Sequence, residues 1–311
     1  RAGCRRHAHT RSAYIPRPLQ QIHDSSVTCV LPNTAYLGEG PVWSPEEQCL
    51  YWIDILAPAV HRFDPATGDN QTRALPRLIG AVALRQEGGL VAVTQDGLES
   101  LDFNSGNLRP IVDPEEGITD TRFNDARCDA AGRLWAGTMA LDATPGRGAI
   151  YRFLEDGSWA RAANGFTVSN GLDWSPDDRL MYFADSAAEA IFAFDFNLET
   201  GEITNRRPFI RTTADEGRPD GLTVDTEGCL WCAMWDGWAV RRYSPEGSLL
   251  QTVELPVPRP SSCVFGGPDL KTLYITSGRI RLSEELLIQA PLSGSLFALQ
   301  TDVQGRPPNL F

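Results

Sequence analysis

The chain has 311 residues, 42% hydrophobic and 22% charged, and its 28 basic against 40 acidic residues leave a net charge of −12. That balance argues against nucleic acid and anionic membranes as partners, and no apolar run approaches the roughly 20 residues that span a bilayer. A composition with Gly 28 and Pro 22 is rich in turns, and an all-β propeller of this length commonly forms one domain.

In chain order, residues 1–26 stand apart. Residues 1–23 carry five arginines and three histidines and no acid. This is the makeup of a mitochondrial-type leader, without the apolar core of a secretory signal. The segment reads as a disordered or vector-derived basic extension, and residues 27–311 as the folded domain. Val27–Leu31 (VTCVL) then reads as a strand.

From Ser44 onward one unit recurs, a polar tight turn leading into an alternating strand. Its copies are SPEEQCLYWID from Ser44, RQEGGLVAVT from Arg85, DAAGRLWAGT from Asp129, SPDDRLMYFAD from Ser175, DTEGCLWCAM from Asp225 and GPDLKTLYITS from Gly267. The starts lie 41, 44, 46, 50 and 42 residues apart. Between them fall hairpin turns at 64–69, 103–107, 154–158, 198–202 and 244–248, mostly preceded by strand-like runs such as VHRFD and IFAFDF. Each period of about 45 residues therefore holds four strands, the content of a propeller blade. Six periods predict an all-β, six-bladed β-propeller with four antiparallel strands per blade. A β-sandwich lacks this long period. Val27–Leu31 is free to close the ring beside SLFALQ at 295–300.

Five residues before each turn stand Glu39, Gly80, Asn124, Asn170, Asp220 and Ser262, often followed by Gly and an apolar residue. Equivalent positions of successive blades lie on a ring around one axis. Glu, Asn, Asn and Asp thus converge from four of the six points, and two carboxylates brought together need a proton or cation between them. Oxygen donors of this kind suit hard divalent cations. Each Asn-Gly or Asp-Gly alone reads equally as a turn; the shared offset favours the ring. The neighbouring glycines are expected to give backbone freedom and keep the channel open. Asp173 reads as structural support, and Arg122 alternatively as a salt-bridge partner of Asp120 or Asp125.

Seven cysteines, at 4, 29, 49, 128, 229, 232 and 263, form no disulfide framework. Cys229 and Cys232 lie three apart in a strand-like run and face opposite ways, so they read as ordinary half-buried thiols rather than a zinc site. Free thiols fit a reducing, cytoplasmic compartment. Of four histidines, three lie before residue 24 and His61 has no partner motif, which leaves no Ser-His-Asp triad.

The chain resembles the SMP-30/gluconolactonase family of six-bladed propellers. GEGPVW (38–43), RFNDARCDAAGRLWAGTM (122–139), SNGLDWS (169–175), FDFNLETGEITNRR (194–207), PDGLTVDTEGCLW (219–231) and SSCVFGG (261–267) carry the likeness. The resemblance implies metal-dependent hydrolysis of a sugar lactone to the aldonic acid. Glu39, Asn170 and Asp220 match the family's divalent-metal ligands, Arg122 and Asn124 its lactone-holding residues, and Asp220 also its general base. The metal expected is one divalent ion, Ca²⁺ first, with Zn²⁺, Mn²⁺, Mg²⁺ or Fe²⁺ as alternatives. The partner is a small-molecule sugar lactone. Where some relatives carry two glutamates after Gly-Thr-Met-Ala, this chain has Leu141 and Asp142, which leaves the choice of lactone open. The alternatives are a non-enzymatic calcium-binding regulatory propeller and a phosphotriesterase-like calcium hydrolase.

Overall fold

The structure is a computed structural model and describes residues 26–32 and 35–311. The basic extension expected at 1–26 lies outside the described residues, apart from Ser26. The remainder forms six four-stranded antiparallel sheets, the blades of a propeller. Among the described residues no helix is long and apolar enough to cross a membrane.

Each repeating unit supplies the second strand of a blade and the turn before it. The DxxGxLW copies show why the turn is written as it is. Asp129 accepts from the N–H groups of Ala131 and Arg133 with one oxygen, and from the Trp135 indole and Arg133 with the other. Asp225 repeats this with Glu227, Cys229 and Trp231. One carboxylate therefore closes the turn and seats the strand's tryptophan. The hairpins between the third and fourth strands turn on Gly68, Gly106, Gly157, Gly201 and Gly247, all at φ between 67° and 86°, where a side chain would be strained.

Burial falls off from the axis outward. Second strands such as Cys49–Asp54 and Leu90–Thr94 are buried on both faces, each wedged between neighbouring blades. Outer strands such as Asn107–Val112 and Leu249–Glu254 are largely exposed. The ring closes as the sequence predicts: Val27–Leu31 pairs with Leu296–Gln300 as the outer strand of blade 6. The seam between blades 6 and 1 is packed by Trp43 stacked on Tyr274, 5.8 Å between ring centroids.

The innermost strands run in the order Gly38–Ser44, Ile79–Leu84, Thr121–Cys128, Ser169–Trp174, Arg218–Val224 and Pro260–Gly266. Every one carries a bulge against its second strand. Pairing skips between Glu39 and Val42, Ile79 and Ala81, Phe123 and Asp125, Ser169 and Leu172, Pro219 and Leu222, and Pro260 and Ser262. In blades 2 to 5 the shared offset in the sequence is thus the mark of a bulge, which re-aims a side chain out of the ladder; in blade 1 Glu39 stays paired with Ile53 and the bulge falls on the next two residues. In blade 6 the bulge falls on Ser261, one residue before the Ser262 that the spacing selects. Ser261 hydrogen-bonds the Gly38 carbonyl and Thr276, so it ties blade 6 to blade 1.

The glycines beside the ring act differently from expectation. Of those flanking it, only Gly40 has positive φ. A Cβ on Gly80 would fall 2.6 Å from the Phe123 carbonyl oxygen, and one on Gly171 2.4 Å from the Leu222 nitrogen. They let adjacent inner strands touch backbone to backbone, drawing the ring tight around the axis.

Below the ring the channel narrows to a cavity of about 70 Å³ lined by residues of all six inner strands and by Arg306–Asn309. The segment 304–311 crosses this lower end as a strap. The Gln304 carbonyl accepts from Thr226, Gly305 donates to Leu270, Arg306 to the Trp174 carbonyl, Asn309 to that of Cys128, and Phe311 to that of Leu84. These anchors reach blades 5, 6, 4, 3 and 2. The Phe311 ring is buried in the core between blades 2 and 3.

Candidate metal centre

The inner strands bring Glu39, Asn124, Asn170 and Asp220 from four blades to the upper end of the channel, the last three on bulges, all buried at 4–8% exposure. Asn124 Nδ2 donates to Asn170 Oδ1 at 2.6 Å and to the Ser169 carbonyl at 2.5 Å. Both amide hydrogens of Asn124 are therefore committed. Only its oxygen remains to meet a ligand, a narrower role than the donor-and-acceptor pair that the residue type allows.

The two acids are poorly served. Among the described residues the Glu39 carboxylate accepts only from the adjacent Gly40 N–H, at 3.1 Å. Asp220 Oδ1 is buried with no hydrogen-bond partner among the described residues. Burying a polar atom so costs about 1–3 kcal/mol. The titration of both groups reflects this. Burial, then the neighbouring Asp125, raises Glu39 to about 8. Burial, then Glu39 and Asp125, raises Asp220 well above the usual carboxylate range. Burial pulls the Arg122 guanidinium down to about 10, with Glu39 acting against it.

This arrangement fits a divalent cation. The donors are all oxygens, two of them carboxylates held together at a cost, and one buried oxygen lacks any partner. Asn170 Oδ1 spends one lone pair on Asn124 and keeps the other.

Arg122 lies two residues before Asn124 on the same strand. It donates to the Phe123 carbonyl at 3.0 Å, and its other N–H groups have no hydrogen-bond partner among the described residues. The salt bridges considered from the sequence are not formed: Asp120 pairs with Arg147 on the exposed rim, and Asp125 is held by its own turn and the field of Arg127. Asp173 is structural, as read from the sequence. It accepts from Arg127, Thr223, and the backbone of Val224 and Trp174. Leu141 and Asp142 lie just past the second strand of blade 3. Leu141 is 46% exposed, and Asp142 is turned onto Thr144. Cys229 and Cys232 are fully buried free thiols rather than half-buried ones. The carboxylates near Cys229, Asp225 and Glu227, are taken up by Arg242.

Two neighbours of the site escape a reading by spacing. Asp125 follows the Asn124 bulge, is raised to about 6 mainly by burial, and acts on both Glu39 and Asp220. Its place next to a ring residue on an inner strand was the available signal. Ser186 accepts from Asn170 Nδ2, and nothing in the repeat points to it.

The model of the SMP-30/gluconolactonase/LRE-like region matches residues 37–279. The chain belongs to this family. It is 39% identical over 286 residues to regucalcin of Danio rerio, covering 91% of this chain and 97% of that protein. It is 38% identical over 291 residues to the 6-deoxy-6-sulfogluconolactonase of Pseudomonas putida, covering 93% and 99%. Among solved structures, a regucalcin from Agrobacterium tumefaciens, described as a calcium-binding protein, superposes with a TM-score of 0.87 at 30% identity over 91% of this chain and 96% of that one. The family and the six-bladed fold thus agree with the reading of the repeats.

Proposed function

We propose that this protein hydrolyses a sugar lactone to the open-chain aldonic acid, with one divalent cation held by Glu39, Asn170 and Asp220. The observation that carries the reading is the unpartnered Asp220 Oδ1 beside a second buried acid and an amide oxygen. Relatives named for lactonase activity support the reaction class, and a relative described as calcium-binding supports Ca²⁺ as the ion.

When bound, the cation supplies Lewis-acid polarisation of the lactone carbonyl. The chain's own residues do the rest. Beside a divalent charge both acids ionise, which leaves Asp220 able to take a proton from water as its oxygen adds to the carbonyl carbon. The bond from that carbon to the ring oxygen then breaks. The proton held by Asp220 passes to the departing ring oxygen, giving a hydroxy acid with atoms in balance. Arg122 offers a fixed fork of donors to ring or hydroxyl oxygens. Asn124 Oδ1 accepts from a substrate hydroxyl. These two polar groups beside the proposed cation ligands favour a substrate over a purely regulatory ion.

The test is a lactone panel assayed with the metal stripped and then restored. Activity should vanish in the stripped protein and return with Ca²⁺ or Mn²⁺. Full activity after confirmed metal removal refutes the mechanism. Metal-dependent melting with no turnover across aldonolactones refutes the enzyme reading and leaves the binding propeller.

A further inference from the structure

We propose that Ser186 is a positioning residue that aims the Asn170 amide oxygen at the cation, an inference that rests on the metal-site reading above. Ser186 opens a short turn, Ser186–Ala188, that follows the second strand of blade 4. Its side chain is buried at 7% exposure. Its N–H donates to the Val168 carbonyl at 3.1 Å. The Asp185 carboxylate, which accepts from Thr167, Val168 and Ala187, pins the turn from the other side.

Four hydrogen bonds thread this corner: three run one way, from Asn124 to the Pro219 carbonyl, and a fourth leaves Asn124 for the Ser169 carbonyl. Asn124 Nδ2 donates to the Ser169 carbonyl at 2.5 Å and to Asn170 Oδ1 at 2.6 Å. Asn170 Nδ2 donates to Ser186 Oγ at 2.6 Å, and Ser186 Oγ donates to the Pro219 carbonyl at 2.6 Å. Both ends of the series are backbone carbonyls, which can only accept. The Ser169 carbonyl therefore fixes the amide of Asn124, and the Pro219 carbonyl consumes the one hydrogen of Ser186. Ser186 is left as an acceptor, which it can satisfy only with the Asn170 nitrogen.

An asparagine side chain has nearly the same shape either way round, and only its oxygen ligates a metal. Turning the Asn170 amide over would set its NH₂ against that of Asn124. It would also set its oxygen against a hydroxyl already spent on Pro219. Ser186 thus raises the cost of the wrong face from one lost contact to two. The same hydroxyl joins blade 4 to the residue before Asp220, so two of the three ligands share one brace. Partners of this kind, one bond removed from the metal, typically change its affinity by about 10–100-fold when removed.

The experiment is calorimetric titration of CaCl₂ into the metal-free full chain, its Ser186→Ala and Asn170→Asp variants, and the double variant. Ser186→Ala should bind Ca²⁺ about tenfold more weakly than wild type. In the Asn170→Asp background, where the two oxygens are equivalent and no wrong face exists, Ser186→Ala should change affinity by less than about twofold. If Ser186→Ala does not fold, Ser186→Cys, a weak acceptor of similar size, gives the same comparison. Wild-type affinity in the serine variant, or an equal loss in both backgrounds, overturns the proposal alone. A wild-type chain that binds no divalent cation overturns it together with the metal-site reading.

Discussion

Asp220 and Asp173 lie on neighbouring inner strands and face one channel, yet they meet opposite surroundings. Asp173, in the lower channel, accepts four hydrogen bonds, from Arg127, Thr223, Val224 and Trp174. Asp220, at the upper end, keeps one oxygen bare and sits within the field of Glu39 and Asp125. The lower acid is satisfied by the chain itself, whereas one oxygen of the upper acid meets no hydrogen-bond partner among the described residues. A buried carboxylate with its full complement of donors marks support. One left short beside another acid is the mark on which the proposed cation site rests.

Three measurements bear on this contrast. Asp220→Asn should cut lactone turnover on the order of 10²–10⁴-fold, the usual worth of a general base. The metal-free variant should melt no lower than wild type at pH 8, because the change removes a crowded carboxyl. Turnover within a few-fold of wild type would remove Asp220 as the base. Asp173→Ala should do the reverse. It strands Arg127 in the lower channel and should cost about 3 kcal/mol in a denaturant titration, while the Ca²⁺ affinity of the folded fraction stays near wild type. A stability unchanged by that substitution would erase the distinction between the two ends.

The mildest effect is the pH dependence. Glu39 rises from 4.5 in the open chain to about 8 in the folded, metal-free protein, so the folded state holds the proton more tightly. Its contribution to stability is therefore fully present below about 4.5 and is lost as pH rises towards about 8. The melting temperature of the metal-free protein should fall across that interval, and saturating Ca²⁺ should flatten the slope. A metal-free melting temperature that rises between pH 5 and 8 would contradict the crowding of acids at the upper end.

The sequence makes the blades legible because each must restate its own turn. Asp129 and Asp225 both close a loop and seat a tryptophan, and that need writes the same letters twice. The ring is legible for a similar reason: Gly80, Gly171 and Gly221 stand where inner strands touch, so an irregularity of the backbone leaves a trace at a fixed offset. The trace gives the position and not its surroundings. That Asn124 has spent both amide hydrogens depends on Ser169 and Asn170 of the next blade. The role of Ser186 depends on a carbonyl of the blade after that. Ser262 misses the bulge because blade 6 has its irregularity one residue earlier, and Glu39 because blade 1 has its irregularity one residue later. No local pattern encodes which groups other blades bring to the axis.

The strap at 304–311 has a consequence for traffic. Arg306–Asn309 line the lower cavity, so in the proposed reaction reactant and product would share the upper door, and each molecule of acid would depart before the next lactone enters. If the proposed cation is held there, the open-chain product's carboxylate would be drawn to it as its parent's carbonyl is, and product exit, rather than ring opening, would be where the cycle slows.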